Sequence, residues 1–189
     1  DLRDIIRYKK KQVQQVSSEN NRLYRILEDA NIKLSTVIKA DSASGKKIIN
    51  AMIDGETNPE NLLRFIHGKT KANRQEISKA LEGNLSSHHR FMLKTIRQSI
   101  QDKEILIASL DKQIDQMASQ YAIEIDLLST IDGVGRDSAI AIISEIGTDM
   151  SRFPDEHHLS SLGGMSPGNN ESAGKKKAQK PSKGTSILE

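Results

Sequence analysis

Two stripes of residues stepping alternately by three and four constrain this chain more than anything else in it. The first reads Leu2, Ile6, Lys9, Val13, Val16, Asn20, Leu23, Leu27, Ala30, Leu34 and Val37. The second reads His89, Leu93, Ile96, Ile100, Lys103, Ile107, Leu110, Ile114, Met117 and Tyr121. Neither breaks step, and a sustained 3-4 alternation is the seam of a left-handed coiled coil. Each stripe predicts a helix roughly 50–55 Å long at 1.5 Å rise per residue. Neither helix can bury its stripe alone. They are expected to pair antiparallel within the chain, or across a dimer. Asn20, Lys9 and Lys103 are polar at seam positions, where such residues set register or oligomer state at some cost in stability.

Composition agrees with long exposed helices. Hydrophobic residues are 35 % of the 189, aromatics 3 % and charged residues 28 %, too lean for a thick core. The absence of cysteine excludes a disulfide scaffold and a thiolate metal site. No apolar run approaches the ~18–20 residues of a membrane span, and no signal peptide is visible. The chain opens at Asp1 in sequence already helically patterned and closes on Leu188-Glu189, so it reads as an internal fragment of a larger protein.

Three regions are expected: a coiled-coil region over 1–121 with a helical insert at about 41–84, a helix-hairpin-helix over 122–164, and a basic, flexible tail over 165–189. In the insert, Gly45 precedes a helix over 46–53, and Asn58 caps a helix with Pro59 at its first position. Gly68 and Gly83 are read as terminators of short helices. Ser86 or Ser87 caps the second long helix. No catalytic pattern appears in the insert. Beyond it, an amphipathic helix over 122–131 meets the turn Gly133-Val134-Gly135. A second helix follows over 137–146, ended by Gly147, and a short one begins at Ser151 or Asp155 and reaches Leu162.

Chemistry concentrates in two places. Glycines at 133 and 135 permit positive φ and remove side chains, so consecutive N–H groups can face outward at the next helix's N-terminus. Gly133, Val134 and Gly135 are therefore candidate phosphate contacts, with Arg136 adding charge; phosphate contact of this kind carries no base readout. The alternative is an ordinary tight connection between packed helices. The second place is Ser172, among glycine, asparagine and lysine. From Ser172 to Leu188 the chain has five lysines and no acid, a block that suits a polyanion but is also the composition of a solvated tail. Lys175, Lys176 and Lys177 could neutralise a phosphodiester beside the hydroxyl. A serine nucleophile needs an activator as well, and the motif contains no histidine. His88-His89 and His157-His158 are adjacent pairs whose members point apart on a helix, so no shared metal is expected. His89 is expected to be a packed imidazole. Acidic pairs look like solvated helix faces, and no metal site is assigned.

These residues resemble a known family. The order Asp29-Ala30-Asn31-Ile32-Lys33-Leu34, Gly55-Glu56, Leu81-Glu82-Gly83 and His88-His89-Arg90-Phe91 is similar to the middle of insertion-sequence-110 (110/116/902) type transposases. So are Ile131-Asp132-Gly133-Val134-Gly135, the run from Glu145 to Pro154, and, most specifically, Pro167-Gly168-Asn169-Asn170-Glu171-Ser172-Ala173-Gly174-Lys175. The resemblance implies a DNA recombinase with an N-terminal RuvC-like domain, whose four acidic residues hold divalent metal (Mg). It implies a C-terminal transposase domain with a serine nucleophile, and a coiled coil that dimerises the protein. The family serine maps onto Ser172. DNA is the implied partner, some members also use a guide RNA, and a homodimer or higher homo-oligomer forms through the coiled coil. The implied location is the cytoplasm of a prokaryotic cell, away from membrane. The acidic tetrad is missing from this chain, and Asp132 stands where the family usually has proline.

The expected fold class is all-α: a long antiparallel helical hairpin or coiled coil with a small helical cap and a C-terminal helix-hairpin-helix. The expected function is part of an insertion-sequence transposase that binds DNA and dimerises, inactive in cleavage by itself. Two alternatives stand beside it: a non-catalytic helix-hairpin-helix DNA-binding protein, and a purely structural coiled-coil dimerisation module.

Overall fold

The computed structural model describes residues 1–66, 72–155 and 157–158, and the backbone at 171–172 and 175–176. It is all-α. Among the described residues the α-helices run in order α1 (Leu2–Asp29), α2 (Ala43–Ile53), α3 (Pro59–Leu62), α4 (Arg74–Ala80), α5 (Ser87–Ala118), α6 (Ala122–Leu128) and α7 (Arg136–Ile146). Short 3-10 turns at Leu34–Thr36, Leu63–Phe65, Ser119–Tyr121 and Met150–Arg152 link or finish them. Two two-residue strands, β1 (Glu171–Ser172) and β2 (Lys175–Lys176), pair antiparallel. Among the described residues, no helix is long and apolar enough to cross a membrane.

The chain divides into two compact units. Their limits differ from the regions read in the sequence: residues 9–110 form one, while 1–8 join 111–189 in the other. In the 9–110 unit, Leu23 and Leu27 of α1 share one core with Leu93, Ile96 and Ile100 of α5. Ile48, Ile49 and Met52 of α2, Leu62 and Ile77 join it, so the insert belongs to the same core as the seams. The end of α1 meets the start of α5, as Asp29 accepting from His89 Nε2 at 2.9 Å makes plain. In the other unit, Leu2, Ile5 and Ile6 of α1 pack with Ile114, Met117 and Ala118 near the end of α5. In each unit these contacts lie within one chain.

The first stripe outruns its helix. α1 stops at Asp29, so Leu34 and Val37 lie beyond it. Asn31 takes φ 62°; its N–H donates to Glu28 O (2.9 Å) and the N–H of Ile32 donates to Leu27 O (2.8 Å). These two bonds around a left-handed residue form a Schellman close, with Ile32 and Leu27 in one core behind it. The seam also drifts at Val13, which is 44 % exposed while its neighbour Gln12 is buried. Lys103 is half-buried on the second seam and donates to Ser99 Oγ (3.0 Å).

Two glycines have roles other than those expected. α2 begins at Ala43, capped by the Ser42 side chain, and Gly45 lies inside its first turn. A Cβ at Gly45 would strike the Lys39 carbonyl. Gly83 terminates no helix: α4 ends at Ala80, and a Cβ at Gly83 would strike Ala30 O and the Ile32 side chain. Both are close-approach glycines. Gly68 lies outside the described residues. Asn58 caps α3 with Pro59 at its first position, as the sequence indicates. Ser86 meets α5 in a reciprocal cap: its Oγ accepts from the N–H of His89, and its own N–H donates to His89 Nδ1, both at 3.2 Å.

Candidate nucleic-acid interface

The helix-hairpin-helix is built from α6, the turn at 129–135 and α7. α6 closes through the N–H of Ser129 donating to Ile125 O (2.9 Å), and the turn tightens through the N–H of Val134 donating to Ile131 O (3.0 Å). Gly133 adopts φ 86°, a conformation that strains any L side chain. Gly135 sits at φ −79°, ψ 170° as the N-cap of α7, with no side chain capping it. Val134, between them, is half-buried and packs against the core that holds Ile125, Ala139, Ile140 and Ile143. One side of the turn therefore anchors it while the glycines face open space. A Cβ at Gly133 or Gly135 would meet nothing within 4 Å.

The amides follow from that geometry. Ala139 is the first residue of α7 whose N–H finds a helical acceptor, Gly135 O at 2.9 Å. Among the described residues, nothing accepts from the N–H groups of Gly135, Arg136, Asp137 or Ser138. Four unpaired donors at the positive end of an 11-residue helix, beside a glycine with free space, can receive an anionic oxygen. The charges nearby are mixed. Arg136 reaches Asp115 Oδ1 (3.4 Å) with both side chains exposed, and Asp132 and Asp137 place negative charge in the turn. α7 begins at Arg136, one residue earlier than read, and closes at Gly147 with φ 76°.

Of the second group, the structure describes backbone alone. Ser172 pairs with Lys175, and Glu171 with Lys176, in the β1–β2 ladder. Lys177 lies outside the described residues, as does the expected helix end at Leu162. A 3-10 turn at Met150–Arg152 occupies the start of that segment, capped by Asp149. The Asp149 carboxylate accepts from the Ser151 hydroxyl (2.6 Å) and N–H (3.0 Å), which lowers its pKa. Asp155 accepts from the ring (2.7 Å) and N–H (3.0 Å) of His158, with the same effect. Among the described residues, no three His, Asp or Glu side chains converge where a metal ion could sit. His88 and His89 stand 6.2 Å apart between ring centroids, and both ring nitrogens of His89 are engaged.

The sequence reading missed the polar centre of this unit. Glu145 is only 8 % exposed. Its two carboxylate oxygens accept from Arg7 Nε and Nη2, each at 3.0 Å, and Arg3 Nε lies 3.4 Å from Oε2. Arg3 also donates to the backbone carbonyls of Ser144 (3.1 Å) and Glu145 (2.7 Å). These are last-turn carbonyls of α7, which have no helical donor of their own. The clasp ties the first two turns of α1 to the far end of the helix whose N-terminus carries the open amides. No local signal marks it, because Arg7 and Glu145 are 138 residues apart.

Residues 125–188 match the family model of the Transposase IS116/IS110/IS902 family. The match spans the hairpin, Ser172 and all five tail lysines, in the last third of the chain. No curated protein and no solved structure matches the chain.

Proposed function

We propose that this chain is the part of an insertion-sequence transposase that holds a DNA phosphate on the α7 amides and carries the strand-transfer nucleophile at Ser172. The observation that carries the reading is the family match over 125–188, which takes in both features. The amide run supplies positioning without base readout, as DNA backbone contacts do. Lys175 and Lys176, paired with the strand that bears Ser172, supply charge for a phosphodiester, and Lys177 adds to it. In the reaction, Ser172 Oγ forms a bond to phosphorus while a phosphorus–oxygen bond to a deoxyribose breaks. The hydroxyl proton leaves to a base, and the departing sugar oxygen takes a proton. The product is a phosphoserine ester joined to DNA. The family's acidic tetrad would supply divalent metal from outside these residues; no such cluster forms among those described, and no step here is assigned to it. The family also implies DNA as partner, and a guide RNA and a homodimer belong to this proposal. Because most seam residues pack inside one chain, the dimer contact is assigned to the exposed Val13.

The experiment uses an intact transposase carrying this segment and duplex DNA bearing an element end. Ser172→Ala should abolish the covalent protein–DNA adduct and leave DNA affinity within about twofold. Gly135→Val fits the backbone and the free space, so the fold should persist with about 1 kcal/mol lost at the N-cap, but the added side chain blocks phosphate approach. Duplex affinity should fall several-fold. An adduct that survives Ser172→Ala moves the nucleophile elsewhere; unchanged affinity in Gly135→Val removes the amide site.

A further inference from the structure

We infer that the outer face of α5 is where a second copy of this chain docks, its α5 laid antiparallel about a two-fold axis through Gln98. The inference rests on the homodimer of the reading above and gives it a surface in addition to Val13, outside the family match.

Position comes first. Leu93, Ile96 and Ile100 turn one face of α5 into the core of the 9–110 unit. On the opposite face stand Phe91 and Ile105, 65 % and 71 % exposed. Exposed apolar side chains scattered singly are ordinary. These two stand seven residues to either side of Gln98, two heptads apart and therefore on one stripe. About 21 Å of helix axis separates them at 1.5 Å per residue. An open groove of about 570 Å³ runs along the same face, with Phe91, Lys94, Thr95, Gln98 and Asp102 in its lining.

Charge then selects the occupant. Lys94 and Asp102 stand four residues to either side of Gln98 and carry opposite signs. An antiparallel copy centred on Gln98 brings Phe91 level with the partner's Ile105 and Lys94 level with the partner's Asp102. Gln98 comes level with its own copy. Each of the two pairings is made twice, as an isologous interface requires. No like charges come level anywhere from Ser87 to Ser109 in that register. A parallel copy in register would set lysine beside lysine and aspartate beside aspartate, which is repulsive. Asp102 accepts from Gln98 Nε2 at 2.8 Å through one carboxylate oxygen, and its other oxygen can accept from a lysine. So short a stretch is expected to bury less than the about 800 Å² per partner of a tight complex. Association is therefore weak and is measured over a concentration series.

The full chain has no cysteine, so Gln98→Cys places a single thiol on the two-fold axis. Helices packed about 8–10 Å apart, with Cα atoms about 2.3 Å from each axis, bring facing Cα atoms into disulfide range. Under mild oxidant, Gln98→Cys should give a covalent dimer at least about tenfold faster than Gln101→Cys, whose own copy stands about 9 Å away along the axis. In a sedimentation series, Lys94→Glu and Asp102→Lys should each weaken association at least about fivefold, because each sets two like-charged pairs together. Both side chains are exposed, so neither change threatens the fold. Mixed in equal amounts, the two variants should pair with each other at wild-type strength, because opposite charges then meet in both pairs. Equal cross-linking at the two cysteine positions overturns the surface, as does a mixture that associates no better than either variant alone. A dimer that Val13→Asp dissolves and the charge variants do not also overturns it, and leaves the Val13 contact standing. A wild-type chain that stays monomeric throughout the series defeats the homodimer in both forms. The phosphate and nucleophile readings are judged apart from it, by Gly135→Val and Ser172→Ala.

Discussion

The Glu145 carboxylate takes two charge-assisted bonds from Arg7 and lies beside the Arg3 guanidinium. Breaking its bidentate link to Arg7 should cost about 1.5–3 kcal/mol, the range for hydrogen bonds to charged groups. Glu145→Gln keeps the shape and loses the charge, so a melting curve should show that loss. Arg7→Gln should cost at least as much, because it leaves the buried Glu145 carboxylate without its bidentate partner. Equal stability of Glu145→Gln and wild type would mean that the clasp is a surface pairing. None of this is legible in sequence. Glu145 looks like a solvated acid on an amphipathic helix, and only the fold brings residues 3, 7 and 145 together. Gly133 is the opposite case. A glycine between two apolar helical runs announces a turn, and the observed φ of 86° is what only that residue adopts without strain.

At the scale of elements, Asn31 shows where periodicity misleads. The 3-4 alternation continues to Val37 although the helix does not, because a stripe records burial, and Leu34 and Ile38 remain buried in the insert's core without being helical neighbours of Leu27. Asn31→Gly should be neutral within a few tenths of a kcal/mol. Asn31→Val should cost about 1–2 kcal/mol, the penalty of a left-handed conformation for an ordinary side chain. Thermal melting of the pair checks it; equal values would show that the Schellman close is dispensable. α3 offers a pH test. Glu56 is held below the usual carboxylate range, first by the N–H of Asn58 and also by the side chain of Asn61. A lowered folded pKa means the contribution is present above the ordinary Glu range and is lost as pH falls through the lowered value. The gap in melting temperature between wild type and Glu56→Gln should therefore narrow in acid; a gap independent of pH would rule out the ionised carboxylate as its source. The hairpin, Pro59 and Gly147 were legible because their conformational demands are local. The roles of Gly45 and Gly83 were not, because a close approach depends on what comes to lie opposite.

At the scale of the molecule, the two cores answer separately to mutation. Ile100 is buried inside the 9–110 core. Ile100→Asp buries an unpaired charge there and should remove hydrogen-exchange protection across 9–110 in one step, rather than dissociate two intact chains. Loss confined to the turns flanking residue 100 would mean that the insert does not share the core of the seams. Leu23→Ala in the same core should cost about 2–5 kcal/mol. The clasp between residues 3 and 145 also has a meaning in time. A chain made from its N-terminus completes the 9–110 unit before Glu145 exists, whereas the other unit needs residues from both ends of the sequence. The first two turns of α1 must wait through more than a hundred further residues for their carboxylate partner. The open amides of α7 arise in that late-forming unit. Synthesis itself thus makes the insert and α5 the first surfaces to mature and the turn ahead of α7 the last.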